Sequence, residues 1–202
     1  MRFTFSMKNL SYGLAIVSLV SAGAASAQSL AGVNTRLLTP LDSQTAAAGQ
    51  VVSVKLDGSV KTPDGVKLPR GTELIGKVTA VTPAKNGQAS SVSVAFTEAQ
   101  LKGGKQIPVK ATLLAAYPGD EGVESQYSDE TMDAVPSSIP ADRTIDQEPG
   151  ALPGGVALKA AVQDPNSGTF SKKDGNVRLI AGTYLQIGVA PATGAGTTSA
   201  AE

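Results

Sequence analysis

A chain of 202 residues with 17 basic and 17 acidic side chains carries no net charge, and it contains no histidine and no cysteine. That composition excludes disulfides, thiolate and imidazole catalysis, Ser-His-Asp systems and metal sites built on Cys or His. With 4% aromatic residues and no tryptophan, the core must be mostly Val, Leu, Ile and Ala, which suits a sheet.

The first 27 residues have the form of an export leader. Arg2 and Lys8 make a positive start, residues 10–25 are apolar and small, and Ala25-Ser26-Ala27 is a small-residue cleavage site before Gln28. The alternative, an uncleaved anchor helix, is disfavoured because the apolar run is shorter than the ~20 residues of a spanning helix. No cysteine follows the run, so lipoprotein acylation is excluded. Removing the leader takes away two of the 17 basic residues and no acidic one, leaving the mature chain at 15 against 17, a net charge of −2. That balance argues against a general affinity for nucleic acid, and the mature chain is expected to have no membrane span.

From residue 28 onward the pattern is that of short strands. Residues 33–38 form a candidate strand closed by Pro40, and 41–49 lack an apolar stripe and read as a connection. Residues 50–56 alternate, with Val52, Val54 and Leu56 inward; Asp57-Gly58 and Pro63-Asp64-Gly65 signal turns, the second a hairpin tip. Residues 68–82 are the central stretch. Pro69 and Gly71 mark a turn, and Leu74, Gly76, Val78 and Ala80 then share one face of a strand. Gly76 leaves a gap in that face, as a bulge or a close backbone crossing requires. The same phrase returns late in the chain, where residues 179–185 match 68–74 at both leucines, the glycine (Gly182) and the threonine. Both copies read as a turn followed by the start of a core strand.

Asn86-Gly87 makes the next turn, and residues 90–98 alternate with Val92, Val94 and Phe96 on the inner face. After Gly103-Gly104, a strand over 105–116 puts Ile107, Val109, Ala111 and Leu113 on one side and Pro108 on the other, near the strand start or an edge. Residues 117–150 change character, with nine carboxylates and four prolines; this segment reads as a flexible acidic insertion over 118–150. Alternation resumes at Val156, Leu158, Ala160 and Val162. Residues 164–175 read as a polar turn, 176–189 as the closing strand region and 190–202 as a disordered tail. The organisation expected is a leader (1–27), one β-domain in two parts (28–117 and 151–189) around the insertion, and the tail. The fold class expected is all-β, a small antiparallel, partly open barrel or sandwich.

Motifs for chemistry are weak. Gly103-Gly104-Lys105-Gln106 lacks the upstream glycine and the Ser/Thr of a phosphate loop, so it is a hairpin turn. The acidic run 120–133 lacks calcium-loop spacing, and carboxylate pairs for glycoside hydrolysis would fall in a segment too flexible to position them. No catalytic residue, cofactor or metal is expected. Tyr117 and Tyr127 flank the acidic run and are candidate partner contacts, although tyrosines at strand ends commonly serve packing alone.

Over residues 34–116 the order of elements resembles the C-terminal β-domain of the TrbI-like family, the periplasmic scaffold of conjugative type IV secretion systems. The resembling residues are Ala48-Gly49-Gln50-Val51-Val52, then Val66 through Gly76 with its Pro-x-Gly-Thr-x-Leu-x-Gly run, then 92–101 with the turn at 102–108. The late stretch 177–189 with Gly182 is similar to the family's closing strand, and about half the chain is covered. The resemblance implies a partly open β-barrel. Three features depart from the family: a cleavable leader in place of an anchor, no proline-rich stalk, and an acidic insertion where the family has an apolar helical hairpin. Charged and Pro-rich residues 117–150 cannot form such a span.

Two functions remain open from the sequence. One is an exported, non-catalytic structural or protein-interaction module of the cell envelope, with a protein partner or self-association. The other is a secreted binding or adhesion module that recognises a surface polymer or protein through 118–150. Either location, periplasm or extracellular, fits the leader.

Overall fold

The computed structural model describes residues 29–119, 135–150, 152 and 154–192; the leader lies outside them, and of the tail expected over 190–202 the first three residues are described, Ala190 and Pro191 continuing the last strand and Ala192 N donating to Pro108 O at 3.1 Å. The described residues form thirteen strands and no helix. In chain order these are β1 (Ala31–Leu37), β2 (Leu41–Asp42), β3 (Val51–Leu56), β4 (Val60–Lys61), β5 (Lys67–Leu68), β6 (Glu73–Thr82) and β7 (Ser90–Gln100). There follow β8 (Gln106–Tyr117), β9 (Thr144–Gln147), β10 (Val156–Ala161), β11 (Gly168–Lys172), β12 (Arg178–Leu179) and β13 (Tyr184–Pro191).

The main sheet runs β6-β3-β1-β13-β8-β7 and then closes, because β7 also pairs with β6. All six junctions are antiparallel. Closure removes the free edges that a six-stranded open sheet would expose. The class expected from the sequence is therefore the class observed, an antiparallel β-barrel.

Its interior is the alternating apolar set. Val52, Val54, Leu56, Leu74, Val78, Val92, Val94, Phe96 and Leu113 are all buried, as the period-2 reading requires. Ala80 is not. A register shift between Val78 and Ala80 against β7 turns Ala80 outward, and Val81 becomes the half-buried residue. Gly76 sits at the other irregularity of this pair. A Cβ there would lie 2.3 Å from the Ala95 carbonyl oxygen and 2.8 Å from Phe96 Cα, so the two backbones touch where the sequence leaves no side chain.

The barrel has a topological two-fold, in which β3, β6 and β7 correspond to β1, β13 and β8. Each half repeats one unit, a long strand, a short strand four residues on, its short antiparallel partner, a glycine turn and a second long strand. In one half β4 pairs with β5, Val60 opposite Leu68; in the other β2 pairs with β12, Leu41 opposite Leu179. The link between the two short strands is a hairpin tip in the first half and most of the chain in the second.

β7 is long enough to serve two sheets. Its far end pairs with β8, and its near end with β11, which continues to β10 and β9. Ser167 is the wedge between them. Its N–H donates to the Val94 carbonyl, its carbonyl accepts from Leu113 N, and its hydroxyl accepts from Phe96 N, all at 2.8 Å. β11 falls inside residues 164–175, which the sequence reading takes as a polar turn. Phe170, 1% exposed, is the apolar residue that pins it.

Part of the expected insertion is built into the core. Leu30 and Ile139 exchange backbone hydrogen bonds at 2.9 and 2.8 Å, Gly32 N donates to Pro136 O at 3.1 Å, and β9 pairs with β10. Leu30 and Ile139 then cover the outer face of β13, where a Cβ on Gly188 would lie 3.0 to 3.1 Å from both side chains. With Leu30 and Ile139 over Gly188 and Arg36 over the Tyr184 ring, Tyr184 through Ala190 are all buried instead of alternating.

Candidate functional site

The two copies of the repeated phrase form the same turn. Gly71 has φ +83° and Gly182 φ +91°, a left-handed conformation that favours glycine at the third position of a type II turn. Thr72 N and Oγ1 donate to Pro69 O at 3.1 and 2.8 Å; Thr183 N and Oγ1 donate to Ile180 O at 3.3 and 2.8 Å. Gly71 N donates to Leu56 O and Gly182 N to Leu37 O, at 2.9 and 2.7 Å. Leu56 N and Leu37 N return bonds to Thr72 O and Thr183 O, both at 2.9 Å. Pro69, Gly71 and Gly182 are thus residues of fold construction, as is Gly76.

Tyr117 ends β8, half-buried, opposite Tyr184 of β13. Arg36 lies over the Tyr184 ring at 4.5 Å and holds Asp57 at 3.1 Å. Beside them is a polar cleft of about 410 Å³, to which Asn34, Ser59 and Arg70 also contribute. Ala25, Ala27, Gln28 and Tyr127 lie outside the described residues, and so does the span 120–134.

A second cleft, of about 450 Å³, lies at the turn of the second half. Its wall is apolar, with Leu152, Val156, Leu179, Ile180 and Pro118, and Gly119 closes one side against the backbone of Gly182. Lys172, Asn176 and Arg178 line the rest. Arg178 is paired with Asp42 at 3.0 Å and its side chain is 71% exposed. Asn176 Oδ1 accepts from Ser43 Oγ at 3.2 Å and from Ala84 N at 2.9 Å. Val177 N beside it donates to both Ser43 Oγ and Ser90 Oγ. No local sequence pattern signals this knot, whose four hydrogen bonds join residues 87 to 134 positions apart along the chain.

Among the described residues no group of three or more His, Cys, Asp or Glu side chains could hold a metal, and no helix is long and apolar enough to cross a membrane. Three buried polar atoms, Asn34 Oδ1, Glu98 Oε1 and Thr112 Oγ1, have no hydrogen-bond partner there; they stand on three different strands, and neither cleft is lined by Glu98 or Thr112. The arrangement can bind through apolar contact and hydrogen-bond donation.

The fold and clefts define a small antiparallel β-barrel with a three-strand extension. No family model matches the chain, and no curated protein matches it. Among solved structures, ComB10 of the Com type IV secretion system of Helicobacter pylori is similar to it, at 10% identity and a TM-score of 0.37, covering 80% of this chain and 87% of that one.

Proposed function

We propose that the chain is an exported, non-catalytic β-barrel module of the cell envelope that works through protein contacts, in the manner of a secretion scaffold. The observation that carries this reading is the use made of the interior. The largest fully buried side chains are leucines, isoleucines and Phe170, and the hydroxyls of Thr72, Thr183 and Ser167 are spent on turns and on the wedge beside β7. The leader at 1–27 supports export, and the Pro-x-Gly-Thr-x-Leu-x-Gly run supports the scaffold comparison.

Cell fractionation with intact-mass measurement tests the reading. The expected result is a mature chain beginning at Gln28 in the periplasmic or envelope fraction, co-purifying with a protein partner or as an oligomer. A chain retaining Met1 in the cytoplasm overturns it.

A further inference from the structure

The 450 Å³ cleft beside the second glycine turn has a one-sided chemistry. Its floor is aliphatic, with Leu152, Val156 and Leu179 buried beneath it. Among the described residues, every charged group that lines it is a cation, and no carboxylate does. Lys172 has no carboxylate partner among the described residues. Arg178 shares one carboxylate, that of Asp42, and keeps further N–H groups toward solvent. Asn176 has spent its carbonyl oxygen on Ser43 and Ala84, so its remaining hydrogen-bonding capacity is the donor pair of Nδ2. Thr183 also lines the cleft, its hydroxyl proton spent on Ile180 O, so the rim of Lys172, Arg178 and Asn176 is donor-rich above an apolar floor, which fits one kind of occupant. We infer that this cleft docks an acidic peptide segment of a partner protein, with apolar side chains on the floor and carboxylates toward Lys172 and Arg178.

The inference rests on the reading of the chain as a protein-contact module and names its contact surface. The site is well supported for that role. Asn176 is held by the knot with Ser43, Val177 and Ser90, and Ile180 belongs to a turn closed by two bonds from Thr183. A preformed wall spares the ordering cost that a loose surface would carry on binding.

The probe is a short fluorescein-labelled peptide that alternates glutamate with leucine or tyrosine, titrated into the full mature chain and read by anisotropy. Saturable binding is expected, weakening with salt, and weakening at least about ten-fold in Lys172→Glu, a loss of about 1.4 kcal/mol. Two control peptides locate the chemistry. One replaces leucine and tyrosine by serine, the other replaces glutamate by lysine, and both are expected to lose saturable binding. Equal binding by Lys172→Glu and the parent chain overturns the site. Equal binding of the serine peptide reduces it to general charge attraction and also overturns it. Displacement of the peptide by hexanoate at equal molar concentration would assign the cleft to small carboxylates and overturn the peptide assignment. Ile180→Ser, which adds no charge, checks the apolar wall independently of Lys172, with an unchanged melting temperature and weakened binding expected and full binding counting against the site. None of these outcomes depends on where the chain resides, so the localisation experiment and this one fail separately.

Discussion

The side-chain amide of Gln147 stands in for a strand against Ala116. Its Oε1 accepts from Ala116 N and its Nε2 donates to Ala116 O, both at 2.8 Å. Ala116 belongs to β8 of the barrel and Gln147 to β9, the last strand of the extension, so one side chain ties the outer edge of the extension back to the barrel. Ala116 is fully buried, and water cannot take over either backbone group without opening the edge.

Replacing Gln147 by alanine is expected to cost about 1 to 3 kcal/mol, the penalty of leaving buried polar groups unpaired. Gln147→Glu should be no better, because a carboxylate cannot donate to Ala116 O. Chemical denaturation gives the cost. Hydrogen exchange checks the cause, since the Ala116 amide should lose protection in Gln147→Ala while amides of β3 and β6 keep theirs.

A second expectation concerns backbone contact. Gly76→Ala places a Cβ 2.3 Å from Ala95 O and 2.8 Å from both Phe96 Cα and Cδ1, so two strands must part to admit it. Overpacking of this kind costs about 1 to 3 kcal/mol. At Gly58 the nearest atom to an added Cβ is Val33 Cγ2 at 3.9 Å, ordinary contact. Gly58→Ala should therefore melt at or above the parent temperature, and Gly76→Ala well below it. Equal melting temperatures would refute the crossing.

The strands β3 and β7 were legible because each buries one face. The periodicity at 52–56 and 92–96 is the burial pattern itself. What escaped detection lacked that signal. β11 reads Gly-Thr-Phe-Ser-Lys, one large apolar residue in five, and is recruited by the free edge of β7. Residues 135–147 are masked by prolines and carboxylates, although Ile139 and Ile145 reach the core. The repeat of Leu-x-x-Gly-Thr-x-Leu disclosed two equivalent turns but not the two-fold. Its other members, Leu37 with Leu41 and Leu56 with Val60, keep their spacing while the residues between them differ. Both clefts assemble from distant segments, and the Asn176 knot joins groups that no local pattern relates.

The register of β7 gives a third expectation. Val94 is 1% exposed, in the core with Val92 and Phe96, and Val94→Asp buries a charge whose cost, several kcal/mol, rivals the about 5 to 15 kcal/mol stability of a small domain. Ser93 points the other way, half-buried, with its hydroxyl 2.8 Å from Thr169 Oγ1 of β11. Ser93→Asp can keep that bond as an acceptor, so it should fold and lose about 1 kcal/mol at most. Circular dichroism melts of the two variants decide the matter, since a shared melting temperature would mean the inner and outer faces are exchanged.

The last expectation separates the insertion from the barrel. The acidic span between β8 and β9 is not all dispensable, because Leu30 pairs with Ile139 and Pro136 O accepts from Gly32. Replacing 119–148 by a short Gly-Ser linker would strip Ile139 from the outer face of β13 and remove β9 with its Gln147 clip. That variant is expected to be destabilised. Replacing 120–134 alone leaves these contacts in place, and loop-closure entropy changes by only about 0.6 kcal/mol per two-fold change in length. The narrower replacement should therefore melt close to the parent. Truncation before Asn176 is the opposite case. It removes β13, which pairs with both β1 and β8, and with it Leu185, Ile187 and Val189. The barrel then cannot close, two edges and a core face are exposed, and insoluble protein is expected. Expression trials and melting curves of the three variants test the order parent ≈ 120–134 replacement > 119–148 replacement > truncation. A soluble truncation, or a 120–134 replacement that fails to fold, would contradict the closure through β13 that organises the molecule.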